Sequence, residues 1–163
     1  VFYVAQRAGG DQIHAFGPFT QQLCITFKFD FIAHKGYSNI TMRKIESIFI
    51  TISLFAAILR QDVFSKVGVF SPALWFNDSA MLNFIQENNI VEDFTVYLDV
   101  GTQETSGMRE DFPEVYISGA EKLCVSLRKQ RNVTIDYHLW GGDTHSESAW
   151  AKRFPEMLKL FYC

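Results

Sequence analysis

The sequence has little of what a disulfide-rich, nucleic-acid-binding or membrane-spanning protein needs. Its three cysteines, Cys24, Cys124 and Cys163, are an odd number without a CxxC pair, which argues against a disulfide framework and a zinc site. There are 15 Lys and Arg residues against 18 Asp and Glu, with no basic run, so nucleic-acid binding is disfavoured. The longest apolar stretch, Ile48 to Leu59, is shorter than the roughly 20 residues of a transmembrane helix. We therefore expect neither nucleic acid nor a membrane as a partner.

Clustered histidines, repeats and flexible linkers are also lacking. His14, His34 and His138 share no spacing that would bring two imidazoles to one metal, so we assign no metal site and no cofactor. No repeat and no stretch rich in Pro, Gly or Ser divides the chain, which predicts a single domain over residues 1–163. The chain starts at Val1 without an initiator Met or a signal region, so we expect a mature chain or a fragment and assign no compartment.

What the sequence does have is apolar runs that alternate with helical patterns, in a composition that is 48% hydrophobic and 15% aromatic. The predicted strands are Val1 to Ala5, Ser47 to Thr51, Lys66 to Phe70, Phe94 to Val100 and Val133 to Leu139. The predicted helices are Leu23 to His34, Ile52 to Arg60, Ala80 to Glu87, Glu114 to Lys129 and Ser148 to Tyr162. Near-continuous apolar strands require cover on both faces, so the pattern predicts an α/β fold with a parallel sheet.

Two polar residues follow successive predicted strands, at the edge where open parallel sheets bind ligands. The strand ending at Val100 runs into a predicted tight turn that ends at Glu104. The strand ending at Leu139 runs into a Gly-rich segment, predicted as a loop, that carries His145. An acid followed by a His is the order of α/β-hydrolase triads, in which the carboxylate fixes the imidazole tautomer. We predict that Glu104 and His145 form one catalytic site.

Three motifs lie between Asp62 and the C-terminus: VGVFSPALWF at 67–76, VYLDVGTQE at 96–104 and THSESAW at 144–150. Together they closely resemble the Putative esterase family of α/β-hydrolases, which includes enterochelin-esterase-like proteins. Gly9-Gly10-Asp11 with Phe16 to Phe19 is a looser match to a family loop. Members of this family are serine hydrolases that cleave ester bonds.

The resemblance implies that His145 is the general base and Glu104 the acid. Asp99, inside a predicted strand and facing a helix layer, is the second choice of acid, and Asp143 lies close enough in sequence to bond His145. Trp75 and Phe76 follow a strand end, where they line either an acyl pocket or the core.

The family's nucleophile elbow, a turn of the Gly-Ser-Ser-Met-Gly-Gly type, has no counterpart in the sequence. The corresponding region, Ile45 to Ala57, joins the end of a strand directly to the start of a helix. The nucleophile of such an elbow sits in a strained backbone where neighbouring side chains would clash, so Ile and Phe do not replace its glycines. Ser47, Ser38 and Thr51 stay open as candidate nucleophiles.

The resemblance begins at a mid-sheet strand, so we expect the earlier strands, and a loop that supplies an oxyanion-hole N–H, to be missing from this sequence. We expect an exposed sheet edge near Val1 to Ala5, which allows self-association. The implied fold is a three-layer α/β-hydrolase-like parallel sheet without its N-terminal strands. The implied function is hydrolysis of small-molecule carboxylic esters, with activity limited by the absent elbow. The alternative is a catalytically inactive remnant or binding domain of the same fold.

Overall fold

The computed structural model describes residues 2–6, 53–77, 80–105 and 110–163. Its strands form one sheet in the order β1 (Phe2–Gln6), β2 (Phe64–Phe70), β3 (Phe94–Gln103) and β4 (Val133–Thr144). Strands β2, β3 and β4 are parallel, as predicted. Strand β1 is antiparallel to β2, so the prediction of an all-parallel sheet is wrong for the strand at Val1 to Ala5. An apolar run indicates a buried strand but does not encode its direction, which depends on the connections.

The described helices lie within two residues of their predicted bounds. They are α1 (residues 53–59), α2 (Ala80–Glu87), α3 (Phe112–Arg128) and α4 (Glu147–Tyr162), with a short 3-10 turn at Leu74–Asn77. Pro113 stands in the first turn of α3, where its missing N–H leaves no helical bond unmade. The Ser146 hydroxyl caps α4 by accepting from the N–H of Ala149. None of the described helices is long and apolar enough to cross a bilayer.

Helices cover both faces of the sheet. One face packs against α1, α2 and α3 through the alternate strand residues Val67, Val69, Val96 and Leu98. Phe70 and Tyr97 point the opposite way and contact Met157 and Phe161 of α4. A Cβ on Gly68 would lie 2.2 Å from Met157 Sδ, so this glycine lets α4 approach the sheet closely. The three-layer α/β-hydrolase-like arrangement is thus confirmed.

Strands β3 and β4 extend beyond their predicted ends. The turn predicted at Gly101 to Glu104 is strand through Gln103, and the loop predicted from Trp140 is strand through Thr144. These predictions of turn and loop were wrong because pairing between the two strands continues past an irregularity at Gly101/Gln103. The longer strands end immediately before Glu104 and His145.

Several predictions lie outside the described residues. They concern the helix at Leu23 to His34, the strand at Ser47 to Thr51 and the Gly-rich motif at residues 9–11. The candidate nucleophiles Ser38, Ser47 and Thr51 belong to the same part of the chain.

Candidate active site

Glu104 and His145 contact each other at the carboxyl ends of the neighbouring strands β3 and β4. Nδ1 of His145 lies 2.8 Å from Oε2 of Glu104, whose side chain is fully buried. Because an ionised carboxylate only accepts hydrogen bonds, this contact assigns a proton to Nδ1. Nε2 has no hydrogen-bond partner among the described residues, and 23% of the imidazole side chain is exposed. The geometry leaves Nε2 available to accept a proton.

The Glu104 carboxylate is held by two further donors. Oε1 accepts from the Ser71 hydroxyl at 2.5 Å and from the Gly101 N–H at 2.8 Å. Burial by itself raises the pKa of Glu104, but the hydrogen bonds from His145, Ser71 and Gly101 outweigh burial and lower this pKa below its ordinary value. Glu104 is therefore ionised at neutral pH, as the acid that orients a catalytic imidazole must be.

Aromatic rings fix the plane of the His145 imidazole. The Tyr116 ring, from α3, has its centroid 5.1 Å from that of the imidazole. The Trp150 ring, from α4, meets the imidazole edge-on at 4.9 Å. The imidazole is thus clamped between the two helix layers, since one ring comes from each side of the sheet.

The other two candidate acids lie near Arg153 of α4, and within the described part of the chain neither forms a hydrogen bond or an ion pair with His145. Asp99 Oδ2 lies 3.4 Å from Nε of the fully buried Arg153 and accepts from the Tyr97 hydroxyl at 3.0 Å. Burial raises the pKa of Asp99 to about 6 despite the nearby guanidinium. Asp143 contacts Lys152 at 3.4 Å and lies 3.8 Å from Arg153. Of the three candidate acids, Glu104 is the one that the structure places against His145.

The sequence reasoning missed the part that Ser71 has in this site. Ser71 follows β2 directly, is fully buried and has a positive φ of 49°. A Ser–Pro pair after a strand resembles an ordinary turn, so the one available signal was its place at the same sheet edge as Glu104 and His145.

Trp75, which the sequence left between pocket and core, packs edge-on against Phe112 in a cluster with Val100 and Tyr116. The side chain of Phe76 lies outside the described part of the chain. Within that part, no three His, Cys, Asp or Glu residues are grouped so that they could hold a metal ion.

Comparison with known proteins identifies the family. The chain spans less than half the length of two solved structures that it resembles. BES protein from Bacillus cereus is 20% identical, with a TM-score of 0.50 over 69% of this chain and 40% of that one, a likeness that shows the fold. Siderophore hydrolase EstB from Aspergillus nidulans is 15% identical, with a TM-score of 0.42 over 68% of this chain and 44% of that one.

The structural similarity to BES protein shows the fold, whereas a comparison of sequences shows the family. No curated protein sequence matches the chain. The sequence model of the Putative esterase family, however, matches residues 50–161, which hold β2, β3 and β4 with Glu104 and His145. This match covers more than half of the chain. The chain therefore belongs to the Putative esterase family.

Proposed function

We propose that the chain carries the acid and the general base of a serine-esterase-type site that acts on small-molecule carboxylic esters. Glu104 is the acid and His145 the base. The observation that carries this assignment is the 2.8 Å contact between Nδ1 and a buried carboxylate, with Nε2 left free among the described residues. Family membership supports the same reaction class.

In this reaction Nε2 of His145 accepts the proton of a hydroxyl, whose oxygen attacks the ester carbonyl carbon. The resulting imidazolium is stabilised by Glu104 and returns its proton to the departing alkoxide. A water molecule, activated by the same nitrogen, then releases the acid from the acyl-enzyme. Ser38, Ser47 and Thr51 are the candidate hydroxyls. Because the sequence contains no Gly-x-Ser-x-Gly elbow, we expect turnover far below that of intact esterases.

The test is hydrolysis of short p-nitrophenyl esters by the purified chain. We expect little turnover, and we expect His145→Ala to abolish what there is. His138→Ala is the matched control, because His138 lies on β4, the strand that His145 follows, and contacts Asp136 at 2.9 Å, outside the Glu104 site. Unchanged hydrolysis by His145→Ala would contradict the proposal. Rates typical of esterases that Ser47→Ala abolishes would instead show that Ser47 occupies the elbow position.

A binding domain without turnover is the second candidate, and the absent elbow favours it. A fluorophosphonate distinguishes the two functions, because it bonds covalently only to an activated hydroxyl. Labelling of Ser38, Ser47 or Thr51 that depends on His145 supports the hydrolase. No labelling, together with NMR shifts at His145 on addition of an ester-like ketone, supports the binding domain.

A further inference from the structure

We propose that Ser71 is a positioning residue, which aims the Glu104 carboxylate at His145 and is itself held in place by Trp150 and Arg153. This inference rests on the proposed function, because it deepens the part of the acid in that site. The side-chain hydrogen bonds of Ser71 go to Glu104, Trp150 and Arg153, and none goes to the imidazole of His145. The Ser71 hydroxyl acts through Glu104 alone.

The direction of the Ser71 hydrogen bonds follows from the donors around it. Its hydroxyl lies 3.0 Å from Trp150 Nε1 and 3.1 Å from Arg153 Nη2, and both of these groups can only donate. A hydroxyl has one proton and two lone pairs, so both lone pairs are used by these donors. The proton is therefore directed at Glu104 Oε1, 2.5 Å away. The Ser71 hydroxyl thus forms all three of the hydrogen bonds that it can form. Rotation of the Glu104 carboxylate would break the hydrogen bond between Oε1 and this hydroxyl.

The backbone at Ser71 is arranged to bring this hydroxyl under the carboxylate. Its N–H donates to the carbonyl of Asp99 at 2.8 Å, which ties the end of β2 to β3. Its φ of 49° lies in the left-handed region, which non-glycine residues rarely adopt. Persistence of this conformation in a fully buried serine indicates that its surroundings require it. Strands β2, β3 and β4 thus contribute Ser71, Glu104 and His145 in order at one sheet edge.

Helix α4 couples this positioning to the base. Trp150 and Arg153 lie three residues apart, so they share one face of the helix, and both donate to Ser71. The Trp150 ring also packs edge-on against His145. One helix face therefore sets both the serine that orients the acid and the plane of the base.

The test is the tautomer of His145, read from imidazole 15N shifts at a pH where the ring is neutral. The proposal predicts a single Nδ1–H tautomer in the unaltered chain. Ser71→Ala and Ser71→Gly both remove the hydroxyl, whereas Gly also accepts the positive φ without strain. We expect both variants to give a mixture of tautomers and a raised pKa of Glu104, followed through its carboxyl 13C shift. Ser126→Ala, which removes another buried hydroxyl on α3, is the control and should change neither.

A single Nδ1–H tautomer with an unmoved Glu104 titration in both Ser71 variants would overturn the proposal. An effect in Ser71→Ala that is absent in Ser71→Gly would also overturn it, because backbone strain would then be the cause. If neither variant folds, Trp150→Phe keeps a ring beside His145 and removes one donor to Ser71. A partial loss of the single tautomer supports the proposal, and its full retention contradicts it.

Hydrolysis separates this inference from the proposed function. Where His145-dependent turnover is measurable, loss of the Ser71 hydroxyl should lower kcat about 10- to 100-fold with KM unchanged. If His145→Ala has no effect on hydrolysis while the Ser71 variants still disturb the tautomer, the proposed function fails and the positioning stands. If hydrolysis depends on His145 while the tautomer of His145 is the same in the Ser71 variants as in the unaltered chain, only the positioning role of Ser71 is refuted.

Discussion

Replacing Asp99 by Asn should change how stability depends on pH, because Asp99 is a fully buried carboxyl with an unusual titration. Burial raises its pKa from the usual 3.8 to about 6, although the positive charge of Arg153 and the hydrogen bond from the Tyr97 hydroxyl each lower the pKa. Asn has a similar shape, keeps an oxygen for the Tyr97 hydroxyl and does not titrate. The substitution therefore removes the titration while the packing against α4 stays nearly the same.

The size of the effect follows from that shift. Between about pH 4 and 6 the folded chain keeps a proton on Asp99 that the unfolded chain has released, so stability falls as pH rises. A pKa of about 6 in the folded chain against 3.8 in the unfolded chain corresponds to about 3 kcal/mol, and the whole of this loss is present above the folded pKa. That is a large share of the 5–15 kcal/mol by which a typical domain is stable.

Urea unfolding of both proteins from pH 4 to 7.5 measures this effect. The free energy of unfolding of Asp99→Asn, minus that of the unaltered chain, should rise by about 3 kcal/mol over the range. Subtraction cancels the groups that the two proteins share. Asp62→Asn is the control: hydrogen bonding to Arg60 lowers the pKa of this exposed carboxyl below its usual value of 3.8, so its titration lies below this pH range and its difference should stay nearly constant. A difference for Asp99→Asn that stays constant with pH would refute the reasoning.

Four other substitutions have expected outcomes. Glu104→Gln turns an amide N–H₂ toward His145 and should move the imidazole proton to Nε2, so NMR should show the other tautomer and His145-dependent hydrolysis should vanish. Gly68→Ala, whose Cβ would lie 2.2 Å from a flexible methionine sulfur, should lower the free energy of unfolding by about 1–3 kcal/mol in urea. Gly101→Ala should cost more, because its Cβ would lie 2.1 Å from a β4 carbonyl oxygen; a milder effect than at Gly68 would contradict this order. Gly119→Ala, in helix α3 with no neighbour closer than 3.5 Å, should instead stabilise by about 0.5–1 kcal/mol, and a loss of stability would mean that the helix is packed more tightly there.

Sequence patterns predicted where the elements lie better than where they end. Helices α2, α3 and α4 are amphipathic, and their apolar stripes mark which residues reach the sheet. The ends of β3 and β4 were missed because Gly101, Gly141 and Gly142 are typical of turns. In the structure, pairing with the neighbouring strand keeps this glycine-rich stretch extended through Thr144. Such pairing is a tertiary contact, and local composition does not record it.

The candidate site was predictable in part, for a related reason. Glu104 and His145 could be placed together because both follow strands, and parallel strands end at one edge. Ser71 follows a strand too, yet its importance lies in bonds to residues 33, 79 and 82 positions away in the sequence. No periodicity or short motif carries that information, and only the folded arrangement brings these groups together.

Two buried carboxylates, Asp99 within β3 and Glu104 directly after it, show why the acid of the proposed pair is Glu104. Both side chains are fully buried, so desolvation opposes the charge on each. Glu104 accepts from three donors, and its pKa is lowered. Asp99 accepts from Tyr97 on one oxygen, while its Oδ1 has no hydrogen-bond partner among the described residues, and its pKa is raised. Since burial is equal, hydrogen bonding decides which carboxyl has the lower pKa, and the carboxyl with the lower pKa is the one that faces His145.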